Sequence, residues 1–124
     1  MRLLIDSHAL LWWFEASPAL SSPARNAMAD PGNEVLISIA ALWELTIKAA
    51  TGKLALPADL ETMVVGEGFS PLTISFGHLR RFAALPRFHR DPFDRMMIAQ
   101  ALAEGTPIAS CDGAFKAYGV QTLW

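Results

Sequence analysis

The sequence predicts an α/β fold: a central parallel sheet of four or five short strands, flanked on both faces by helices. Short apolar runs alternate with longer stretches of helical spacing, as expected of strand–helix–strand units. The runs are uniformly apolar rather than alternating, which marks strands buried on both faces. The chain has 124 residues, 52% of them hydrophobic and 18% charged. That is one domain's length, with enough apolar material for a core and a composition unlike that of disordered chains. No repeat, low-complexity tract or linker divides it, so residues 1–124 are expected to form a single unit.

Leu3-Leu4-Ile5 reads as the first strand, ended by Asp6-Ser7. His8–Ala16 is a helix with Leu10, Leu11 and Phe14 at helical spacing, broken by Pro18. Ser21–Ala29 is a second helix, with Ser21 or Ser22 as its cap and Pro23 near its first turn. After the turn residues Asp30-Pro31-Gly32-Asn33 comes a strand, Val35-Leu36-Ile37. Ser38 can cap a helix from Ile39 to about Thr51, which Gly52 ends. Pro57-Ala58-Asp59 opens a helix running to about Gly66, and Leu72-Thr73-Ile74 is a third strand. Phe76–Leu85 is a helix stopped by Pro86, and Arg87–Arg90 is a basic loop. Asp91-Pro92 begins a long helix to Glu104, with Gly105 just past its end. Pro107-Ile108-Ala109, Gly113–Tyr118 and Val120–Leu123 complete the pattern as strand, short helix and strand.

The lone cysteine, Cys111, forms no internal disulfide and founds no cysteine-based zinc cluster. It reads as a small buried filler in a protein of a reducing cytoplasm. His8, His78 and His89 are scattered, without zinc-ligand spacing. His89 reads as a surface histidine, with a phosphate contact as the alternative. The longest run free of Asp, Glu, Lys and Arg, Gly68–Leu79, is too short for a membrane span. Asp6 interrupts the place where a signal peptide would be apolar. Trp12 and Trp13 are adjacent and cannot share one helix face, so one is expected in the core and the other partly exposed to a partner protein.

In open α/β sheets, sites form at the carboxyl ends of the strands. Asp6 follows the first strand, Asp112 follows the fourth, and Asp91 and Asp94 open the long helix. Glu44 lies within the Ile39–Thr51 helix, about a turn and a half beyond the second strand's carboxyl end. Each acid also has a purely structural role available. Asp6 and Asp112 fit helix N-caps. Asp91-Pro92-Phe93-Asp94 fits a capping box with Asp in place of Glu, with Asp91 as the cap. Glu44 can pair with Lys48 four residues on. As a set, Asp6, Glu44, Asp94 and Asp112 should converge. Convergent carboxylates repel one another, and an all-oxygen donor set selects a hard cation, Mg²⁺ or Mn²⁺. Such an ion suits phosphodiester hydrolysis by activated water.

Four segments carry a family resemblance. They are Leu3-Leu4-Ile5-Asp6-Ser7-His8-Ala9-Leu10-Leu11-Trp12-Trp13, Ser38-Ile39-Ala40-Ala41-Leu42-Trp43-Glu44-Leu45, His89-Arg90-Asp91-Pro92-Phe93-Asp94-Arg95-Met96-Met97-Ile98-Ala99-Gln100-Ala101 and Ala109-Ser110-Cys111-Asp112. In these, and along its whole length, the chain resembles the PIN-domain ribonucleases, specifically the VapC-type toxins of bacterial toxin–antitoxin pairs. The resemblance implies a PIN-like three-layer sandwich and metal-dependent endoribonuclease activity. It places the family's four acidic positions on Asp6, Glu44, Asp94 and Asp112, and it implies a cognate antitoxin and a homodimer. Ser7 and Ser110 stand where threonine is more usual, and both keep the hydroxyl. With Arg90 and Arg95 they are candidate substrate-binding residues. The competing readings are a receiver-like signalling domain phosphorylated on Asp6, an inactive PIN-like binding module and a nuclease acting on DNA. A receiver wants a second acid near the first strand and a lysine after the last; Met1–Asp6 has one acid and Val120–Trp124 no lysine. All four acids are present, against an inactive module.

The formal net charge of −2 excludes a uniformly basic nucleic-acid binder. Setting the four acids aside leaves the remainder at +2, and five of the ten basic residues (Arg80, Arg81, Arg87, Arg90 and Arg95) fall within residues 80–95. An acidic pocket beside a basic rim suits a phosphodiester substrate.

Overall fold

A computed structural model describes all 124 residues. Five parallel strands form one sheet: β1 (Arg2–Ile5), β2 (Glu34–Ser38), β3 (Ser70–Leu72), β4 (Ile108–Ala109) and β5 (Thr122–Leu123), in the order β3-β2-β1-β4-β5. Seven helices connect them: α1 (Ser7–Phe14), α2 (Ser22–Ala29), α3 (Ile39–Ala50), α4 (Leu60–Gly66), α5 (Phe76–Ala84), α6 (Pro92–Glu104) and α7 (Ala114–Ala117). Leu3, Leu4, Ile5, Ile37, Ile108 and Ala109 on the central strands are wholly buried. With Leu10, Leu45, Met97, Ile98 and Phe115 from the helices they belong to one core of 26 residues. This is the buried parallel sheet that the apolar runs predict.

The third strand lies two residues earlier than the sequence predicts, at Ser70–Leu72 rather than Leu72–Ile74. Its partner explains the shift. The β2–β3 register pairs Leu36 with Ser70, Ile37 with Pro71 and Ser38 with Leu72, and at Ile39 the chain has already entered α3. Beyond Leu72 there is no strand left to pair with. Nor is β3 uniformly apolar: it contains Pro71, tolerated because β3 is an edge strand and need not donate on both sides.

Most helix starts follow their caps. Ser21, Ser38, Asp59 and Ser75 each accept a hydrogen bond from a backbone N–H in the first turn. At Ser75 the cap is reciprocal: its own N–H donates to Nδ1 of the buried His78. Asp91 caps α6 by accepting from the N–H groups of Phe93 and Asp94, with Pro92 as the first helical residue. Only half of the expected capping box forms, because the Asp94 side chain turns elsewhere.

The helix ends hold a departure. Helix α6 stops at Gly105, whose φ of +61° needs no Cβ, with Thr106 N–H donating to the Ala101 carbonyl. Helix α1 ends two residues before the expected Ala16 with the same hydrogen-bond pattern, Ser17 N–H to Trp12 O and Ala16 N–H to Trp13 O. Here an alanine, Ala16, takes the left-handed position at φ +50°. Pro18 disfavours helical geometry at Ser17, so the chain must turn at this point. A β-carbon there costs about 1–2 kcal/mol, offset in part by glycine's larger loss of chain entropy. Ala16→Gly is therefore expected to stabilise the fold by about 0.5–1 kcal/mol, seen as a higher urea midpoint with an unchanged slope.

Candidate active site

In the order β3-β2-β1-β4-β5 the direction of winding reverses between β1 and β4. Such a switch point opens a crevice at the carboxyl ends of the two strands. Asp6 sits directly after β1, and Ser110 directly after β4. The pairing runs up to the crevice itself, Asp6 N–H donating to the Ala109 carbonyl at 3.4 Å.

Asp6 is 6% exposed and caps α1, its carboxylate accepting from Ala9 N–H at 2.7 Å. Burial pushes its carboxyl above the usual carboxylate range, the Ser110 hydroxyl and the Ala9 N–H acting against it. Glu44 is half-buried on α3 and accepts from the Ser7 hydroxyl at 3.3 Å. Burial raises its carboxyl too; Lys48 opposes the shift, while Asp91 and Asp94 add to it. The anticipated Glu44–Lys48 ion pair does not close within 4 Å, so Lys48 acts only as a field across the helix turn. Asp94, one turn into α6, is raised by burial and by the charges of Asp91 and Asp112. His89 works in the other direction. Asp112 is exposed in the β4–α7 loop; it caps Ala114 N–H at 2.9 Å, and its own N–H donates to the Ser110 hydroxyl at 3.0 Å.

The structure thus brings the four predicted acids to one edge, and Asp94 is their hub. Its charge raises both Asp6 and Glu44, and Asp112 in turn raises Asp94. As the side chains stand, no three Asp, Glu, His or Cys groups close tightly enough to enclose an ion. The donor set nonetheless fits a hard divalent cation: it is all oxygen, and burial together with neighbouring carboxylates raises the proton affinity of Asp6, Glu44 and Asp94.

Several sequence expectations are corrected here. His89 is not a free surface residue: its Nε2–H donates to Asp94 Oδ2 at 2.9 Å, and its backbone N–H donates to the Tyr118 hydroxyl at 2.9 Å. Five residues between a loop and a helix's first turn follow no periodic rule, so no sequence pattern announces this pair. Asp91 is the cap it was expected to be, yet its charge also reaches Glu44 and Asp94. Cys111 is exposed rather than buried, because it lies in the loop beyond β4. Trp12 and Trp13 are both half-buried; Trp12 stacks on His8 and meets Trp124, and Trp13 meets Phe69 edge-on.

Of the five clustered arginines, Arg87, Arg90 and Arg95 line a cleft of about 410 Å³ with His89 as its fourth wall. Arg95 is half-buried: its guanidinium lies 4.8 Å from the Phe82 ring centroid, donates to the Leu85 carbonyl at 3.4 Å, and leaves its buried Nε without a partner. Ser7 and Ser110 both face carboxylates, orienting the acidic cluster.

Residues 3–121 match the PIN domain. The chain belongs to the PIN-domain family. Among solved structures, this PIN domain is similar to VapBC2 from Rickettsia felis, bound to a DNA fragment from their promoter, with a TM-score of 0.70 and 12% identity over 98% of this chain and 97% of that one. It is likewise similar to VapBC-1 from nontypeable Haemophilus influenzae, with a TM-score of 0.69 and 14% identity over 98% and 96% of the two chains. At these identities the likeness is one of fold. No curated protein sequence matches the chain.

The raised acids set the pH response of the metal-free PIN domain. A carboxyl whose folded pKa lies above its unfolded value binds more protons folded than unfolded in the interval between the two. Stability therefore grows as pH falls through the raised values of Asp6, Glu44 and Asp94, until the ordinary carboxylate range is reached. In EDTA, the melting temperature is expected to rise from pH 7 toward mildly acidic pH. Glu44→Gln, which keeps an acceptor for Ser7, should melt higher than the parent at pH 7. His89→Ala removes a group that lowers Asp94, so carboxyl NMR titration should place Asp94 higher still.

Proposed function

We propose that this PIN domain, residues 1–124, is a metal-dependent endoribonuclease of the VapC type, the toxin of a toxin–antitoxin pair. The observation that carries the reading is the gathering of Asp6, Glu44, Asp94 and Asp112 at the β1–β4 switch point, with Asp94 electrostatically joined to the other three. A family whose fold is met in two VapBC assemblies supports it. A receiver-like phosphoacceptor role would want a second acid beside Asp6 at the first strand and a lysine after the last, and the chain has neither.

Asp6 and Asp94 are the candidate principal ligands of Mg²⁺ or Mn²⁺, with Glu44 and Asp112 completing the shell directly or through water. A bound divalent ion would supply Lewis acidity to the phosphodiester and lower the pKa of water beside it. The chain's own residues do the rest. The Ala9 N–H and Ser110 fix the Asp6 carboxylate, Ser7 fixes Glu44, and His89 fixes Asp94. Ordering these acids before substrate arrives removes reorganisation from the reaction itself. Arg90 and Arg95, in the cleft that shares His89 with the acids, hold the phosphate chain of the substrate.

The partners that follow are RNA as substrate, a cognate antitoxin and a second copy of the chain. No helix is long and apolar enough to cross a membrane. Cellular RNA as substrate puts the site of action in the cytoplasm.

Purified protein is expected to cut total RNA with added Mg²⁺ or Mn²⁺ and to stop in EDTA. Asp6→Asn and Asp94→Asn should each lower the cleavage rate roughly a hundredfold or more, the loss of several kcal/mol of transition-state stabilisation. Cleavage that survives both chelation and substitution would sink the proposal. Mapping the cleaved ends in cells expressing the protein, against DNA as a control substrate, reads the substrate class directly.

A further inference from the structure

Successive residues of the loop between α5 and α6 serve two different cavities. Arg87, His89 and Arg90 line the cationic cleft of about 410 Å³ with Arg95. Phe88 lines a neighbouring, largely apolar pocket of about 400 Å³ with Arg81, Leu85, Pro86, Leu102 and Tyr118. Phe88 is 66% exposed although the core lies close by. Its ring leans on Tyr118, the centroids 5.2 Å apart, and the Tyr118 hydroxyl accepts the N–H of His89. The loop is therefore tied at two points, through His89 to Tyr118 and through His89 to Asp94. Phe88 is held out as a fixed aromatic wall of the apolar pocket, while its sequence neighbours Arg87 and His89 line the cationic cleft.

We infer that Arg87–Arg90 is a nucleotide-holding arm that takes an unpaired base against Phe88 while Arg87 and Arg90 hold a neighbouring phosphate. The inference rests on the ribonuclease reading and deepens it, since it names the residues that seat the substrate strand. The chemistry is that of single-strand recognition generally: an aromatic face stacks any base, and flanking cations track the backbone. In a duplex the bases are stacked on one another and no face is free for Phe88. The place of His89, in the cleft and bonded to Asp94, favours RNA over an acidic protein segment. His89 joins the cleft to the carboxylate cluster, so a chain seated in the cleft continues toward the acids.

Binding is measured by fluorescence anisotropy with a short labelled single-stranded RNA of mixed sequence, on Asp6→Asn protein so that the probe stays intact. Phe88→Ala is expected to weaken binding about tenfold, and Phe88→Trp to retain it. Arg87→Ala and Arg90→Ala should each weaken binding and flatten its salt dependence by about one counterion. A blunt RNA duplex of the same sequence should bind more weakly and ignore Phe88→Ala. Phe76→Ala, at a ring 80% exposed at the start of α5, is the control and should change nothing. The substituted side chains are exposed, and matching melting temperatures would show that the variants fold.

Unchanged single-strand affinity in Phe88→Ala overturns the proposal. So does an equal loss for single strand and duplex, or, with a labelled polyglutamate peptide measured in parallel, retention of RNA binding with loss of peptide binding in the variants, which would give the arm to an acidic protein partner. Failure of the ribonuclease reading is separately visible: Phe88-dependent RNA binding would persist in a chain that leaves RNA intact with Mg²⁺ and Mn²⁺.

Discussion

Asp6 stands with its carboxylate almost wholly out of water, at the one point of the sheet where two neighbouring strands part company. Three more carboxylates reach the same edge. Holding them there is unfavourable, as the upward shifts of Asp6, Glu44 and Asp94 record, and the free energy comes from the core beneath. Leu3, Leu4 and Ile5, all wholly buried, lead straight into Asp6, so a stretch of the core and the most desolvated acid are consecutive in the chain. Each hydroxyl or N–H around the cluster makes the arrangement bearable without neutralising it. Ser7, Ser110, the Ala9 N–H and His89 all donate, and Lys48, the cation acting on Glu44, remains at a distance.

The second constraint is the pinning of α5 against α6. Arg95 lies over Phe82 and reaches the Leu85 carbonyl, and Asp94, the hub of the acids, is its neighbour in sequence. The Arg87–Arg90 loop spans the junction of these helices. Its position is settled by the packing of the helices and by Tyr118 from α7's end, more than by its own backbone preferences. Chemistry and scaffold meet at His89, whose backbone answers to Tyr118 and whose ring answers to Asp94.

What was legible in the sequence divides along the same line. Local rules worked where local physics decides. Apolar runs marked the buried strands, Asp91-Pro92 marked the start of α6, and Gly105 marked its end. Placing acids after strands pointed to Asp6 and Asp112, while Asp94 and Glu44 were read from inside helices, at the entry into α6 and a turn and a half into α3. The rules failed where a distant partner decides. The third strand lies at Ser70–Leu72 because β2 ends at Ser38, which no pattern within residues 70–74 reveals. His89 looked like a surface residue because its two partners are five and 29 positions away. Cys111 looked buried because residue type stood in for location.

The edges of the sheet carry one more consequence. β3 has three residues, one of them Pro71, and β5 has two. Edges so short, one of them broken by a residue without an N–H, are poor templates for another chain's strand. This PIN domain is thereby guarded against edge-to-edge aggregation. Its associations are left to side-chain surfaces, where a helix such as α3, with Ile39, Trp43 and Ile47 exposed at four-residue spacing, has more to offer than the backbone does.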